Sequence, residues 1–120
     1  MKKENIVQTK SYDFALSGIE LFKKLTKEQH KYILSKQVLR SDTSIGANIE
    51  EAIGEQSTRD FLSKKAISYK EARETHYWLR LLRDSNYNSR EESKSLIEQC
   101  EELLRIIGSI QKTTKLKTRN

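Results

Sequence analysis

The stretch that decides the fold runs from Arg40 to Leu82 and reads RSDTSIGANIEEAIGEQSTRDFLSKKAISYKEARETHYWLRLL. Its first part has the three- and four-residue apolar spacing of an amphipathic helix, which we expect to end at Gly54 in the left-handed conformation common at helix ends. Ser57 follows as a candidate N-cap, with Asp60 near the positive end of the next helix. The stretch therefore predicts two long helices joined by a short turn.

Similar patterns on both sides of this stretch predict four helices in all, at about residues 11–25, 27–53, 58–83 and 90–111. Thr26 with Gln29, and Ser89 with Glu92, have the spacing of capping boxes at the starts of the second and fourth helices. Long helices joined by short turns fold back on one another. We expect an all-α fold, an up-down-up-down antiparallel four-helix bundle, in one domain over residues 1–120 with a mobile basic tail at 112–120.

Two of the predicted helices carry more apolar residues than one core-facing stripe requires. On the first helix we expect Tyr12, Ala15, Leu16, Ile19 and Phe22 to face the core. The residues left over on the first and third helices form a second line on each, and a large outward ring such as Trp78 needs a partner surface. These residues predict an oligomer interface, in preference to a wide core: Phe14, Leu21, Leu25, Ile67, Trp78 and Leu81.

The net charge of +6 is concentrated at the two ends of the chain. Residues 1–10 contribute +2 and residues 111–120 contribute +4, so the body between them is neutral. The basic tail predicts RNA contacts through Lys112, Lys115, Lys117 and Arg119, with a simple solubilising role as the alternative. Several copies of the tail on one oligomer would bind a polyanion by avidity.

Neither the apolar patterning nor the cysteine usage suggests a membrane or an oxidising compartment. No apolar run approaches the roughly 20 residues of a membrane span, and the first residues lack the apolar segment of a signal peptide. The single cysteine, Cys100, has no partner for an internal disulfide. We expect a cytoplasmic protein that does not interact with membranes.

A line of polar residues flanks the apolar stripe of the second helix, and carboxylates lie opposite on the third. Partly buried polar groups need hydrogen-bond partners, so these residues predict a polar network across the bundle. The members are Arg40, Ser44, Asn48, Glu51, Glu71 and Glu74. We favour a structural network over a polar groove that receives a ligand or another subunit.

The sequence offers little for catalysis, cofactors or metals. A di-metal site in a helix bundle needs Glu-x-x-His motifs, and neither His30 nor His76 belongs to one. Cys100 lies within the apolar stripe of the fourth helix, where a thiol acts as a small apolar group. GANIEEAIG lies within a helix and lacks the lysine of a phosphate-binding loop. We expect no catalytic residues, no cofactor and no metal, and hence no enzyme.

The central stretch resembles a known bacterial family of four-helix bundles, the 23S rRNA intervening-sequence proteins. The resemblance rests on Arg40-Ser41-x-Thr43-Ser44-Ile45-Gly46-Ala47-Asn48-Ile49-x-Glu51-Ala52, then Gly54, Ser57, Asp60-Phe61 and Glu71-Ala72-x-Glu74-Thr75-x-x-Trp78-Leu79. It implies a bundle that assembles into a ring, typically a pentamer, with no established biochemical activity. A more distant similarity, to the pentameric accessory protein of diversity-generating retroelements, implies contact with nucleic acid. The body of this chain is neutral, unlike the basic channel that this similarity would imply through the centre of the ring.

Two functions follow as hypotheses. The first is a non-enzymatic, ring-forming accessory that binds RNA or a ribonucleoprotein through its basic termini. The second is a protein-protein interaction scaffold with no nucleic-acid role. In both, the partners include further copies of this chain, as a homo-oligomer that the resemblance makes a pentamer.

Overall fold

The computed structural model describes residues 3–29 and 31–118 and contains four helices within them. These are α1 (Lys3–Gln29), α2 (Tyr32–Ile53), α3 (Thr58–Asp84) and α4 (Arg90–Thr118). Each helix packs against its neighbour in sequence, and α1 packs against α4 to close the bundle, which measures 52 × 22 × 21 Å. Connections this short make consecutive helices antiparallel. The predicted all-α four-helix bundle is confirmed.

The boundary between the first two helices differs from the prediction. α1 begins at Lys3 and ends at Gln29, and α2 begins at Tyr32, so the predicted bounds of 11–25 and 27–53 are wrong at this junction. The Thr26 hydroxyl does not cap a new helix, because it donates a 2.8 Å hydrogen bond to the Phe22 carbonyl of its own helix. The Lys31 N–H closes the end of α1 by donating to the Leu25 carbonyl at 3.1 Å.

The carboxyl-terminal segment is helical as far as Thr118, so the predicted end of the fourth helix at residue 111 is wrong. Ile110 is buried in the core, and the Thr114 hydroxyl donates to its carbonyl at 2.8 Å. No glycine or proline interrupts residues 109–118. Lysines near the carboxyl end of a helix also interact favourably with its dipole.

The capping residues of α3 and α4 are confirmed. Ser57 accepts a hydrogen bond from the Asp60 N–H, and Ser89 accepts one from the Glu92 N–H, each at 3.1 Å. Gly54 does cap α2, but its φ of −81° is right-handed, so the left-handed conformation predicted there is wrong. The left-handed residue is Asn86 (φ 61°), in the turn between α3 and α4, where its short side chain tolerates this conformation.

The rotation of α1 about its axis is opposite to the predicted one. The structure places Phe14, Leu21 and Leu25 in the core, at 2%, 5% and 0% exposure, so their prediction as an outer interface is wrong. Tyr12 and Leu16, predicted to face the core, are 63% and 48% exposed. Both apolar lines of α1 have helical spacing, so periodicity alone did not distinguish them.

Close packing of α1 on α2 explains which line is buried. Gly18 of α1 lies directly against the Asp42 side chain, and a Cβ added there would lie 1.7 Å from the Asp42 Oδ2. On α2, Gly46 faces the Ser11 backbone, where an added Cβ would meet the Ser11 carbonyl oxygen at an ordinary 3.6 Å. Small residues let two helix backbones approach, and this contact turns the Phe14 line inward.

The two glycines of this contact predict opposite responses to a methyl group. Gly18→Ala is expected to lower the free energy of unfolding by about 1–3 kcal/mol, since the methyl collides with a buried side chain. Gly46→Ala has room for its methyl group and gains up to about 1 kcal/mol of helix propensity. Urea denaturation of both variants measures the difference.

The Asp42→Ala background provides the control for this prediction. Removing the carboxylate relieves the collision, so Gly18→Ala loses most of its penalty there. If Gly18→Ala lowers the free energy of unfolding equally in the parent and in Asp42→Ala, the contact between Gly18 and Asp42 does not cause the loss.

Candidate nucleic-acid and assembly surfaces

Three of the six predicted network residues come together across α2 and α3. Arg40 donates to the Glu71 Oε2 at 3.3 Å and forms an ion pair with Glu74. Arg40 also donates to the Gln37 Oε1 at 3.2 Å, and the Trp78 indole N–H donates to the Glu74 Oε2 at 2.9 Å. Glu71 and Glu74 are partly buried, whereas Arg40 is half exposed. The cluster fixes the position of α3 and its tryptophan relative to α2.

The other three predicted residues lie apart from this cluster. The Asn48 amide donates to the Ser44 carbonyl oxygen at 2.8 Å and to the Ser44 hydroxyl at 3.1 Å, within α2 itself. Glu51 forms a separate 3.4 Å ion pair with Lys64. The six residues therefore form three groups, and only those around Glu51 and Arg40 connect two helices.

An apolar surface on α3 lies beside the Arg40 cluster. Ile67 and Leu81 are 39% and 36% exposed, as expected of outward residues, and Tyr77 is 49% exposed. Trp78 is partly buried against the core and meets the Tyr77 ring edge-on, with 5.2 Å between ring centroids. We call Ile67, Tyr77, Trp78 and Leu81 the α3 apolar face. It has the aromatic character of a protein interface.

The basic residues of the carboxyl terminus lie along the last turns of α4. Lys112, Lys115 and Lys117 are exposed, whereas Arg119 lies outside the described residues. Residues 103–120 include Arg105 and contain no acidic residue at all. The end of α4 therefore presents positive charge on a helix, with spacings fixed by the helical rise.

A buried carboxylate, Asp42, escaped the sequence analysis. It is 1% exposed, and neither carboxylate oxygen makes a hydrogen bond of normal geometry to the described residues. Burial raises the Asp42 pKa from the ordinary value of 3.8 to about 8, against a smaller opposing effect of the Gly18 backbone. Asp42 is therefore mostly protonated at neutral pH. In the sequence, only its position next to Ser41, on the apolar stripe of α2, indicated that Asp42 would be buried.

Lys65 is a second buried ionisable group, and it was not among the residues predicted for the polar network. Its side chain is fully buried, with the ammonium nitrogen 3.4 Å from the Glu4 Oε2 and 5.4 Å from the centroid of the Phe61 ring. Burial lowers the Lys65 pKa, and Glu4 opposes that effect. The pair attaches the first turn of α1 to α3, a contact between residues far apart in sequence.

Cys100, which the sequence analysis considered as a nucleophile, and His76, which it considered as a metal ligand, have structural contacts. Cys100 is buried and its thiol lies 3.2 Å from the Ala72 carbonyl oxygen, as a core position predicts. Burial raises the Cys100 pKa to about 12, so the thiolate is not populated near neutral pH. The His76 Nε2 lies 3.1 Å from the Glu101 Oε2 at the α3–α4 seam.

The described residues contain no obvious ligand-binding centre. Within residues 3–29 and 31–118, no group of three or more His, Cys, Asp or Glu residues could hold a metal ion. None of the helices in these ranges is long and apolar enough to cross a membrane. A groove of about 550 Å³ lies between α1 and α4, floored by Leu21 and Leu96 and bridged by the 2.7 Å ion pair of Lys24 and Glu92.

Comparison with known proteins identifies the family. The family model described as 23S rRNA-intervening sequence protein matches residues 3–109. One similar solved structure is that of a protein with unknown function from the S23 ribosomal protein family of Bacteroides thetaiotaomicron. It is 46% identical, with a TM-score of 0.91 over 92% of this chain and 99% of that chain. No curated protein matches the sequence. The resemblance found in the sequence is confirmed.

The raised pKa of Asp42 predicts a pH-dependent stability. Between about pH 4 and pH 8 the unfolded chain ionises Asp42 while the folded protein keeps its proton, so rising pH destabilises the fold. The slope is at most about 1.4 kcal/mol per pH unit for one proton. Asp42→Asn does not ionise, so its stability relative to the parent should increase through this window and level off above it. Urea denaturation at a series of pH values measures this difference in the free energy of unfolding.

Asp13→Asn is the matched control, because Asp13 is exposed on α1. Its stability should run parallel to that of the parent across the same pH range. A constant gap between parent and Asp42→Asn would show that Asp42 ionises normally in the folded protein.

Proposed function

The chain belongs to the family of 23S rRNA-intervening sequence proteins, and from that premise we propose that it is a ring-forming cytoplasmic accessory protein. In this proposal it binds RNA or a ribonucleoprotein through its basic carboxyl terminus and carries out no catalysis. The family's description refers to 23S rRNA but names no activity or contact. The RNA role therefore depends on the chemistry of this chain's own surface.

The observation that carries the RNA role is the end of α4. Lys112, Lys115 and Lys117 are exposed there, and no carboxylate follows Glu102 in the sequence. Helical geometry holds these lysines at a fixed spacing, so contacting phosphates costs less conformational entropy than it would from a disordered tail. Neutralising phosphates with lysines releases counterions, which makes the binding strong at low salt and weak at high salt.

Self-assembly supports the same function. The α3 apolar face offers two exposed aliphatic side chains beside two aromatic rings, which suits burial against another copy of the chain. The resemblance makes a pentameric ring the expected assembly. Several α4 ends on one particle would bind a single RNA by avidity, so modest contacts per copy suffice.

A protein-protein interaction scaffold is the second candidate. The observation that favours it is the same α3 apolar face, which adjoins the Arg40–Glu74 ion pair and so combines apolar contact with charge. In that function the lysines of α4 serve solubility and the helix dipole alone.

The buried reactive groups support a binding role over a catalytic one. Cys100 and Asp42 are 0% and 1% exposed, and burial raises the pKa of each. Both are protonated at neutral pH and neither reaches the surface. The cysteine thiol and this aspartate carboxylate are therefore inaccessible to a substrate.

The RNA role predicts a specific loss of binding. Lys112→Gln/Lys115→Gln/Lys117→Gln should weaken binding to a labelled stem-loop RNA by about tenfold or more at low salt, since each copy loses three phosphate contacts. Lys23→Gln/Lys27→Gln/Lys36→Gln removes the same charge from exposed positions on α1 and α2 and should have a smaller effect. Fluorescence anisotropy at 50 mM and 150 mM salt measures both. A parent protein that binds no RNA even at low salt would leave the scaffold function.

The assembly role predicts dissociation when the α3 apolar face is charged. Ile67→Glu/Leu81→Glu should convert the oligomer to monomers, because burying two unpaired carboxylates at an interface costs several kcal/mol. Both positions are exposed in the single chain, so the helical circular dichroism signal should persist. Light scattering coupled to size-exclusion chromatography measures the mass. An unchanged mass would show that assembly, if any, uses another surface.

A further inference from the structure

A basic surface runs along the outside of the α3–α4 pair. One shallow groove there, of about 310 Å³, is lined by Arg73, His76 and Arg80 together with Glu101 and Leu104. A second groove of about 500 Å³ continues it towards the turn between the helices. The basic side chains of the surface, which we call the α3–α4 basic face, are Arg73, Arg80, Arg83, Arg90, Lys94 and Arg105.

Three of these six side chains have no acidic partner among the described residues, while Arg80, Arg83 and Arg90 all interact with Asp84. Among residues 3–29 and 31–118, no ion pair or hydrogen bond engages the side chains of Arg73, Lys94 or Arg105. Arg80 donates only to the His76 carbonyl oxygen, at 3.4 Å, and lies 5.9 Å from the centroid of the Tyr77 ring. An unpaired guanidinium retains all its donors for an incoming anion.

The carboxylates on the same surface are fewer, and two of them already have partners. Glu101 contacts His76, and Asp84 pairs with Arg83 at 2.8 Å. Glu98 is the remaining acid in the two grooves. The surface therefore has a positive excess, although the body of the chain is neutral overall. By comparison, α2 has two basic residues against three acidic ones.

The basic face is continuous with Lys112, the first of the lysines at the end of α4. Arg105 follows Glu101 by four residues and so lies one turn further along the same side of α4. Lys112 follows Arg105 by seven residues, which is two turns along the same side. The positive charge thus extends along α4 from Arg90, beside the α3–α4 turn, to Lys112, a distance of roughly 30 Å at 1.5 Å per residue.

We propose that the α3–α4 basic face binds the phosphate backbone of RNA and forms one continuous track with the lysines at the end of α4. Arginine predominates on this face, and its planar guanidinium binds phosphate oxygens in pairs, which lysine does not. The track spans several nucleotides on each copy of the chain. This inference rests on the proposed RNA-binding function and names a second surface that contributes to it.

The test compares three triple variants of the full-length protein on one labelled stem-loop RNA. Arg73→Gln/Arg80→Gln/Arg105→Gln removes three charges from the basic face, and all three positions are exposed. The Lys112/Lys115/Lys117 variant removes three from the end of α4, and the Lys23/Lys27/Lys36 variant removes three from the opposite side. Anisotropy titrations from 50 to 200 mM salt give the affinity and its salt dependence, while thermal melting and light scattering monitor the fold and the assembly.

We expect the arginine variant to bind about tenfold or more weakly at low salt and to lose about two units of the log–log salt slope, at roughly 0.7 per phosphate contact. The control should retain affinity close to that of the parent. If the arginine variant matches the control while the α4 lysine variant loses binding, the basic face is not a contact and the proposed function stands. If the parent itself binds no RNA, the proposed function fails as well. A changed mass of the arginine variant would assign these arginines to assembly and overturn the inference.

Discussion

The close contact between α1 and α2 is the constraint on which the rest of the structure depends. Asp42 occupies the space that a side chain at position 18 would fill. One turn further along α2, Gly46 faces the Ser11 backbone. These two contacts set the rotation of α1, which buries Phe14 and Leu21 and exposes Tyr12. The surface that α1 presents to solvent, which includes Tyr12 and Leu16, follows from that rotation.

The core includes charge-bearing side chains that a purely apolar bundle would not contain. Asp42 is kept neutral by burial, and Lys65 is compensated by Glu4 from the start of α1. Buried polar groups cost free energy unless they are paired, so the surrounding apolar packing must offset both. The Lys65–Glu4 pair also gives the first turn of α1 a defined position, because displacing it would leave a buried amine without a counter-charge.

The remaining polar and apolar features are divided among the faces of the bundle. The α2–α3 side holds the Arg40 ion pairs and the α3 apolar face, which suit contact with protein. The α3–α4 side holds unpaired arginines, which suit contact with phosphate. The two surfaces adjoin on α3, where Arg80 lies 5.9 Å from the centroid of the Tyr77 ring. The division of charge between the faces explains how a body with balanced charge still presents a strongly positive surface.

The sequence by itself determined the helix content, the antiparallel order and the caps at Ser57 and Ser89, because these depend on local spacing and hydrogen bonding. It also indicated the joining of Arg40 to Glu71 and Glu74, since both helices carry these groups beside their apolar stripes. It failed on α1, where two lines of apolar residues have the same helical periodicity and either could face the core. It also failed where a charged residue occupies a core position, as Asp42 and Lys65 do. Only the tertiary structure decided these, because the cost of a collision or a buried charge depends on which atoms the neighbouring helices bring against it.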